Sequence, residues 1–336
     1  TLDFVFADYL EKRNLQKSTV RGYLQVINCY FKDYREKPLK SLDETAIKKI
    51  HSFVSSTSQA QADLAMRVLR ALFNFAKYEY RGNENEIIYK NNPVKILSHL
   101  RNWNHVPRKQ TRISKSQLSE FFSAIETSRN EAEKLHDLFT SSVCDFVEMA
   151  IFTGLRKSEL LNLTWDAINL AERSYFISKT KNGTPLELPI GDKLLTIFEN
   201  RLSQKTDSDY VFNSNGTYGR VIEPKKVIAK IGEKAGITFT LHDLRRTFTT
   251  TAEGLNVGTY TIKRLLNHKT KRDDVTAGYT VLTPEELREP AQAIEDEILI
   301  QAGLKQQKVG ITEQINNLLA DLSEVEKRRV LLQISM

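Results

Sequence analysis

"LHDLRRTFTT", residues Leu241–Thr250, sets His242 and Arg245 three positions apart in a run that is otherwise apolar or rich in threonine. At that spacing two side chains share one helix face, one turn apart. A helix bathed in water gains nothing from flanking such a pair with Leu241, Leu244 and Phe248. A helix buried for packing alone gains nothing from the pair. The stretch therefore reads as a largely buried helix that presents two chargeable groups to something it holds.

Outward from this helix the chain reads as mixed but mainly helical. "SKSQLSEFFSAIE" and "AEKLHDLFTSSVCDFVEMAIFTG" carry helical periodicity, the second ended by Gly154. "RSYFIS" and "PLELPI" alternate around "KTKNGT", which predicts a β-hairpin with an Asn-Gly turn. Helices are predicted again near 192–204 and 223–235. Upstream, residues 2–90 read as helices joined by short loops. In "STVRGYLQVINCYFKDY" the stripe Val20, Tyr23, Leu24, Ile27, Tyr30, Phe31 follows a helix face, with Ser18 or Thr19 placed to cap it. Residues 93–113, with two prolines and the cluster Arg108, Lys109 and Arg112, read as a basic linker or a plain soluble hinge.

Length and composition bound the function classes. The 336 residues suffice for two domains, and 40% hydrophobic with 27% charged residues is a soluble composition. No apolar run reaches a membrane span, and no signal-peptide pattern opens the chain. The two cysteines, Cys29 and Cys144, lie in apolar helical patterns and read as buried thiols in a reducing cytosol. The net charge of +7 is unevenly spread. Residues 1–113 hold 20 basic and 11 acidic side chains, residues 114–280 hold 23 and 21, and residues 281–336 hold 6 and 10. A polyanion is expected to touch the first region heavily and the last little. Lys12, Arg13, Lys17 and Arg21 decorate the helical bundle as candidate DNA contacts, or as a solvated face.

No phosphate-binding GxxxxGK[ST] loop, no GxGxxG and no HExxH or CxxC pattern occurs, which sets three familiar chemistries aside, while acids are too widespread for spacing to decide on a carboxylate-held metal. What stands out is a series of cationic and donor residues: Arg156 in "FTGLRKSELLNLTWDAI", Lys181 in the hairpin, His242 and Arg245, His268 in "LLNHKT", and Tyr279 in "VTAGYT". Singly each has a bland explanation. Arg156 could pair with Glu159, Lys181 could be a solvated hairpin lysine, and His268 could be structural.

In this order and in these contexts the set resembles the tyrosine recombinases, in particular the phage and genomic-island, lambda-like integrase branch. "TGLRKSELLNLTWDAI" is similar to that family's first arginine box, "LHDLRRTF" to its His-x-x-Arg box, and "LLNHKTKRDDVTAGYT" to the segment ending in the nucleophile. The likeness spans roughly residues 113–282 and is weak over the N-terminal bundle. It implies a helical core-binding domain over residues 1–92 and a mixed α/β catalytic domain over 114–282 with a small antiparallel sheet. An acidic helical tail over 283–336 would follow, docked in cis or exchanged between protomers.

The resemblance further implies Arg156, Lys181, His242, Arg245, His268 and Tyr279 as catalytic residues, with Glu159 supporting Arg156. Lys179 is the alternative to Lys181. It implies strand exchange with no nucleotide or metal cofactor, double-stranded DNA as partner, a homotetramer on DNA, host DNA-bending or directionality factors, and a bacterial, cytoplasmic, nucleoid-associated setting. Many members of this branch carry a further N-terminal domain for arm-site DNA, and this chain begins at the core-binding bundle. The chemistry of the residues agrees. Two guanidiniums can clamp the nonbridging oxygens of a phosphodiester, a lysine can protonate a leaving alkoxide, and a phenol needs a cationic pocket to ionise. A type IB topoisomerase or resolvase would use the same chemistry, and a silent DNA-binding regulator could share the fold without needing Tyr279.

Overall fold

Short polar side chains start the helices of the N-terminal region. Thr1 accepts from Phe4 N at 3.2 Å, Asp43 from Ala46 N at 2.8 Å and Ser58 from Gln61 N at 3.4 Å, each satisfying a donor that the helix leaves orphaned. The computed structural model describes residues 1–180, 183–268, 283–307 and 326. The chain divides into two units, residues 1–109 and 110–336.

The first unit is helical: α1 (Leu2–Lys12), α2 (Lys17–Tyr30), α3 (Glu44–Thr57), α4 (Gln59–Glu79) and the short α5 (Lys95–His99). Its core joins Leu2, Phe6, Ile27, Phe31, Leu69 and Leu72 from these helices and the turns between them. In α2 the buried face is rotated from the expected stripe. Val26 and Ile27 are buried while Leu24 is exposed, because Tyr23, Val26, Ile27 and Tyr30 form the inward i, i+3, i+4, i+7 set. The helix begins at Lys17 with Gln16 at the cap, not at Ser18 or Thr19. Cys29 lies on the outer face and is exposed, unlike the buried Cys144.

The segment read as linker from residue 93 packs on this unit as far as Asn104. Val94 and Leu97 are buried, and Asn104 Nδ2 donates to Asp63 Oδ1 at 3.0 Å and to Ser55 Oγ at 3.0 Å. Asp63 is itself paired with the buried His51 at 3.0 Å. Residues 105–110 are exposed throughout.

The second unit is built around α7 (Leu138–Thr153), which is buried at every position from Ser141 to Thr153. A helix buried on all sides must neutralise whatever charge it carries. Asp145 and Glu148 of α7 meet Arg129 of α6 (Leu118–Lys134) and, for Asp145, Arg201 of α9 (Asp192–Ser203) at 3.2 Å. α6 and α7 are separated by a break at 135–137. Asp137 caps α7 by accepting from Thr140 N at 3.0 Å, so the single helix expected to run into Gly154 starts only at Leu138.

A three-stranded antiparallel sheet follows, β1 (Ile168–Asn169), β2 (Ser174–Ile177) and β3 (Leu186–Pro189), in that order, with Tyr175 opposite Leu188 and Ile177 opposite Leu186. β2 and β3 are the expected hairpin. β1 is too short to show alternation in the sequence. α8 (Lys157–Leu161), α10 (Lys225–Lys234), α11 (Leu241–Gly254) and α12 (Thr259–Leu265) complete the surroundings of the site.

The last described helix, α13 (Pro284–Gln301), packs on its own unit, against β3, α7, α11 and α12, and buries Leu287, Ile294 and Ile298. Glu295, 2% exposed, accepts from Lys193 N at 2.7 Å and Leu194 N at 3.3 Å, so its carboxylate caps the start of α9. Gly191 is needed for this approach, since a Cβ there would come within 2.6 Å of Glu295 Oε2. Ile315, Leu318, Leu319 and Leu322, whose spacing in the tail predicts a further apolar helix face, lie outside the described residues. Among the described residues no helix is long and apolar enough to cross a membrane.

Candidate active site

Gly154 ends α7 in the left-handed conformation, φ 62°. A side chain is excluded there twice over. L-residues resist this backbone, and a Cβ would meet Leu266 Cδ2 at 2.6 Å and Phe248 Cδ1 at 2.8 Å. The tight turn delivers Arg156 to the start of α8. Arg156 Nη1 donates to Glu159 Oε1 at 2.8 Å, and its backbone N–H donates to Glu159 Oε2 at 3.0 Å. Glu159 is buried, so one carboxylate fixes both the main chain and the side chain of Arg156. The pairing offered as a bland explanation of Arg156 and the supporting role expected of Glu159 are thus the same contact.

Arg245, 7% exposed, is held differently. Nη1 donates to Gly154 O at 2.5 Å and Nη2 to Leu266 O at 2.7 Å. Both acceptors are neutral carbonyls, and no carboxylate of the described residues forms an ion pair with it. Burial, reinforced by the nearby Arg156, pushes its pKa down to about 10, which still leaves it charged at neutral pH. Arg156, His242 and Arg245 line one cleft of about 870 Å³, walled by Leu155, Ile228 and Phe239. His242 has its pKa lowered by burial and by Arg246 and Arg245. The backbone N–H of His268 donates to Lys263 O at 2.8 Å, and the imidazole pKa is lowered by lost hydration and by Arg245 and Arg156. Four of the six residues picked from sequence are thus brought into one positive field.

Lys181 and Tyr279 lie outside the described residues. Lys179, the alternative lysine, is exposed just beyond β2. Among the described residues no group of three His, Cys, Asp or Glu could hold a metal ion.

Asp243 stands between His242 and Arg245 without belonging to any motif above, yet it is tied into the site. It is 4% exposed and accepts from Thr111 Oγ1 at 2.6 Å, Thr240 N at 2.8 Å, Thr240 Oγ1 at 2.7 Å and Arg246 Nη1 at 2.8 Å. Burial alone would raise its pKa, but the hydrogen bonds from Thr111 and Thr240 outweigh it and hold the carboxyl below its ordinary value. The Thr240-x-x-Asp243 spacing was a legible capping signal.

The candidate DNA contacts are less uniform. Lys12 is occupied by Asp8 at 3.0 Å and by Glu79, and Arg13 lies over the Phe75 ring at 6.0 Å. Lys17, Arg21, Arg108, Lys109 and Arg112 are exposed and form no ion pair among the described residues. A cleft of about 610 Å³ in the first unit gathers Arg67, Arg70, Trp103 and His105, with Arg70 over the Trp103 ring at 5.4 Å. Sequence reasoning missed this cluster, of which only the i, i+3 spacing of the two arginines was visible.

A helical unit followed by a helical unit with a small antiparallel sheet, whose cleft gathers two arginines and a histidine, defines the tyrosine recombinase class. The fold is similar to that of the Tn1549 transposon integrase in complex with circular intermediate DNA, with a TM-score of 0.61 and 16% identity over 85% of this chain and 97% of that one. It is likewise similar to that of a lambda integrase tetramer bound to a Holliday junction, with a TM-score of 0.57 and 15% identity over 85% and 76% of the two chains. Tyrosine recombinase XerA of Pyrococcus furiosus is 28% identical over 293 residues, 85% of this chain and 91% of that protein. Residues 111–286, just over half of the chain, match the phage integrase family, and the chain belongs to that family. It is a tyrosine site-specific recombinase.

Proposed function

We propose that the cleft holds one scissile phosphate of duplex DNA, clamped by Arg156 and Arg245. The observation that carries this reading is the buried Arg245 guanidinium, which among the described residues donates to two carbonyls and has no ion-pair partner, beside a second arginine. A buried cation without a direct ion-pair partner is costly, and an anion arriving in the cleft relieves it. A phosphodiester under attack gains charge on its nonbridging oxygens and rewards two such donors further. His242, one turn from Arg245, and His268 complete the set of donors around the same oxygens.

Tyr279 then attacks phosphorus through its phenolic oxygen. The bond to the 5′-oxygen breaks, a 3′-phosphotyrosine forms, and Lys181 gives the departing alkoxide its proton. The freed 5′-hydroxyl of a partner strand attacks the phosphotyrosine and releases Tyr279, so strands are exchanged with no net change in bond type. The substrate is a pair of specific DNA sites, and the reaction integrates or excises a mobile element. Two sites require four protomers, an assembly supported by the tetrameric fold neighbour. The tail beyond residue 307, with four basic and four acidic side chains, serves contacts between those protomers.

Tyr279→Phe tests the central step. DNA binding should persist, because it rests on phosphate contacts elsewhere. Covalent capture on a nicked duplex carrying the repeats that border the gene should vanish. An adduct formed by Tyr279→Phe would assign the nucleophile to another residue.

A further inference from the structure

The chain enters the second unit along the helix that carries His242 and Arg245, and it is fastened there at two points. Thr111 Oγ1 donates to Asp243 Oδ1 at 2.6 Å, and Arg246 Nη1 reaches back to Thr111 O at 3.2 Å. Two residues on, Ile113 N donates to Thr247 Oγ1 at 3.0 Å, and Ile113 itself is buried. The anchor positions on α11, Asp243, Arg246 and Thr247, interleave with the two site residues. Asp243 follows His242 directly, and Arg246 follows Arg245.

A helix needs no such fastening to fold. Its own capping box already occupies the other carboxylate oxygen of Asp243, which takes Thr240 N and Thr240 Oγ1. Among the described residues, Asp243 Oδ1 accepts from Thr111 and Arg246. Between the two fastened residues lies Arg112, which is exposed, and Arg108 and Lys109 stand just upstream.

We propose that Thr111 is a positioning residue for the recombination reaction, and that Thr111–Ile113 is a strap that sets the placement of α11, and so of His242 and Arg245, in response to DNA held by Arg112. The proposal rests on the reading of His242 and Arg245 as phosphate ligands. Because phosphate clamping depends on sub-ångström placement, a loosened strap lowers the rate of the chemical step and leaves DNA affinity alone. Thr111 touches no reacting atom. It acts through Asp243.

The test uses the full chain and a nicked duplex carrying the repeats that border the gene. Thr111→Val keeps the shape and removes the donor. The rate of covalent adduct formation at saturating DNA should fall about tenfold, the scale of one lost hydrogen bond to a charged acceptor, with Kd unchanged. Thr111→Ser should restore the rate. Thr247→Val, which frees the other end of the strap, should reproduce the loss. A wild-type rate for Thr111→Val, a change confined to Kd, or a failure of serine to rescue would overturn the proposal. Arg245→Lys and His242→Ala run alongside. If they also cleave at the wild-type rate, the phosphate reading itself fails; if they are inactive and Thr111→Val is not, only the strap fails.

Discussion

Arg201 and Arg245 are both buried in the second unit, yet they are satisfied in opposite ways. Arg201 donates to Asp145 Oδ2 at 3.2 Å and to Asn213 Oδ1 at 2.8 Å, so its charge is cancelled inside the fold. Among the described residues Arg245 donates to two carbonyls and has no ion-pair partner, so its charge is available to the proposed phosphate. The same field governs the histidines. Burial and neighbouring arginines depress the pKa of both His242 and His268 from 6.5, so both are neutral at pH 7. An unfolded chain takes up these protons first as pH falls below about 6.5, so the two groups support the folded state above that pH and lose that support as pH drops through their folded values. A bound phosphate reverses the preference by favouring the imidazolium forms. The double variant His242→Gln/His268→Gln should therefore show a flatter fall of Tm between pH 7 and 5.5. It should also lose any tightening of DNA binding over that range. Melting curves and binding isotherms at stepped pH check both, and a double variant as pH-dependent as the wild type would place the titrating groups elsewhere.

Among the elements, the turn from α7 into α8 has the least freedom. Gly154 supplies a left-handed backbone, a gap for Leu266 and Phe248, and a carbonyl for Arg245. Gly154→Ala should cost about 1–3 kcal/mol of stability, from backbone strain and overpacking together. Cleavage should fall by more than the unfolded fraction accounts for, since the carbonyl that orients Arg245 moves with the turn. Denaturant titration and adduct formation, measured on the same preparation, separate the two effects. An activity loss that merely tracks the folded fraction would make the turn a packing feature alone. α13 has a comparable structural part, because Glu295 caps α9 and Leu287, Ile294 and Ile298 close the core. A truncation meant to probe assembly between protomers therefore has to begin beyond residue 307.

At the scale of the whole molecule the charge is divided: the first 113 residues hold 20 basic against 11 acidic side chains, and the last 56 hold 6 against 10. Arg108, Lys109 and Arg112 are exposed and form no ion pair among the described residues. Each is free to displace a counterion from DNA. Neutralising all three with glutamine should weaken binding to every sequence alike and reduce the steepness of the salt dependence, by up to about one counterion per residue. Binding measured between low and moderate salt gives that slope. An unchanged slope would return the three to a solvated surface.

Short-range rules were enough to read several features directly from the chain. His-x-x-Arg spacing put His242 and Arg245 on one helix face. Alternation and an Asn-Gly signal placed the β2–β3 hairpin, and the order of Arg156, Lys181, His242, Arg245, His268 and Tyr279 pointed to the family. The same rules misjudged features that depend on which neighbour covers a residue. Leu24 and Cys29 have apolar character, but α2 turns Val26 inward instead, and the helix before Gly154 is broken where Asp137 prefers to cap. Contacts between residues far apart in the chain emerged with packing: Thr111 on Asp243, Glu295 on the start of α9, and the carbonyls of Gly154 and Leu266 on Arg245. Helix and strand periodicity is a local property of a few residues. A buried donor finds its acceptor only after the elements have packed, and no spacing along the chain encodes that meeting.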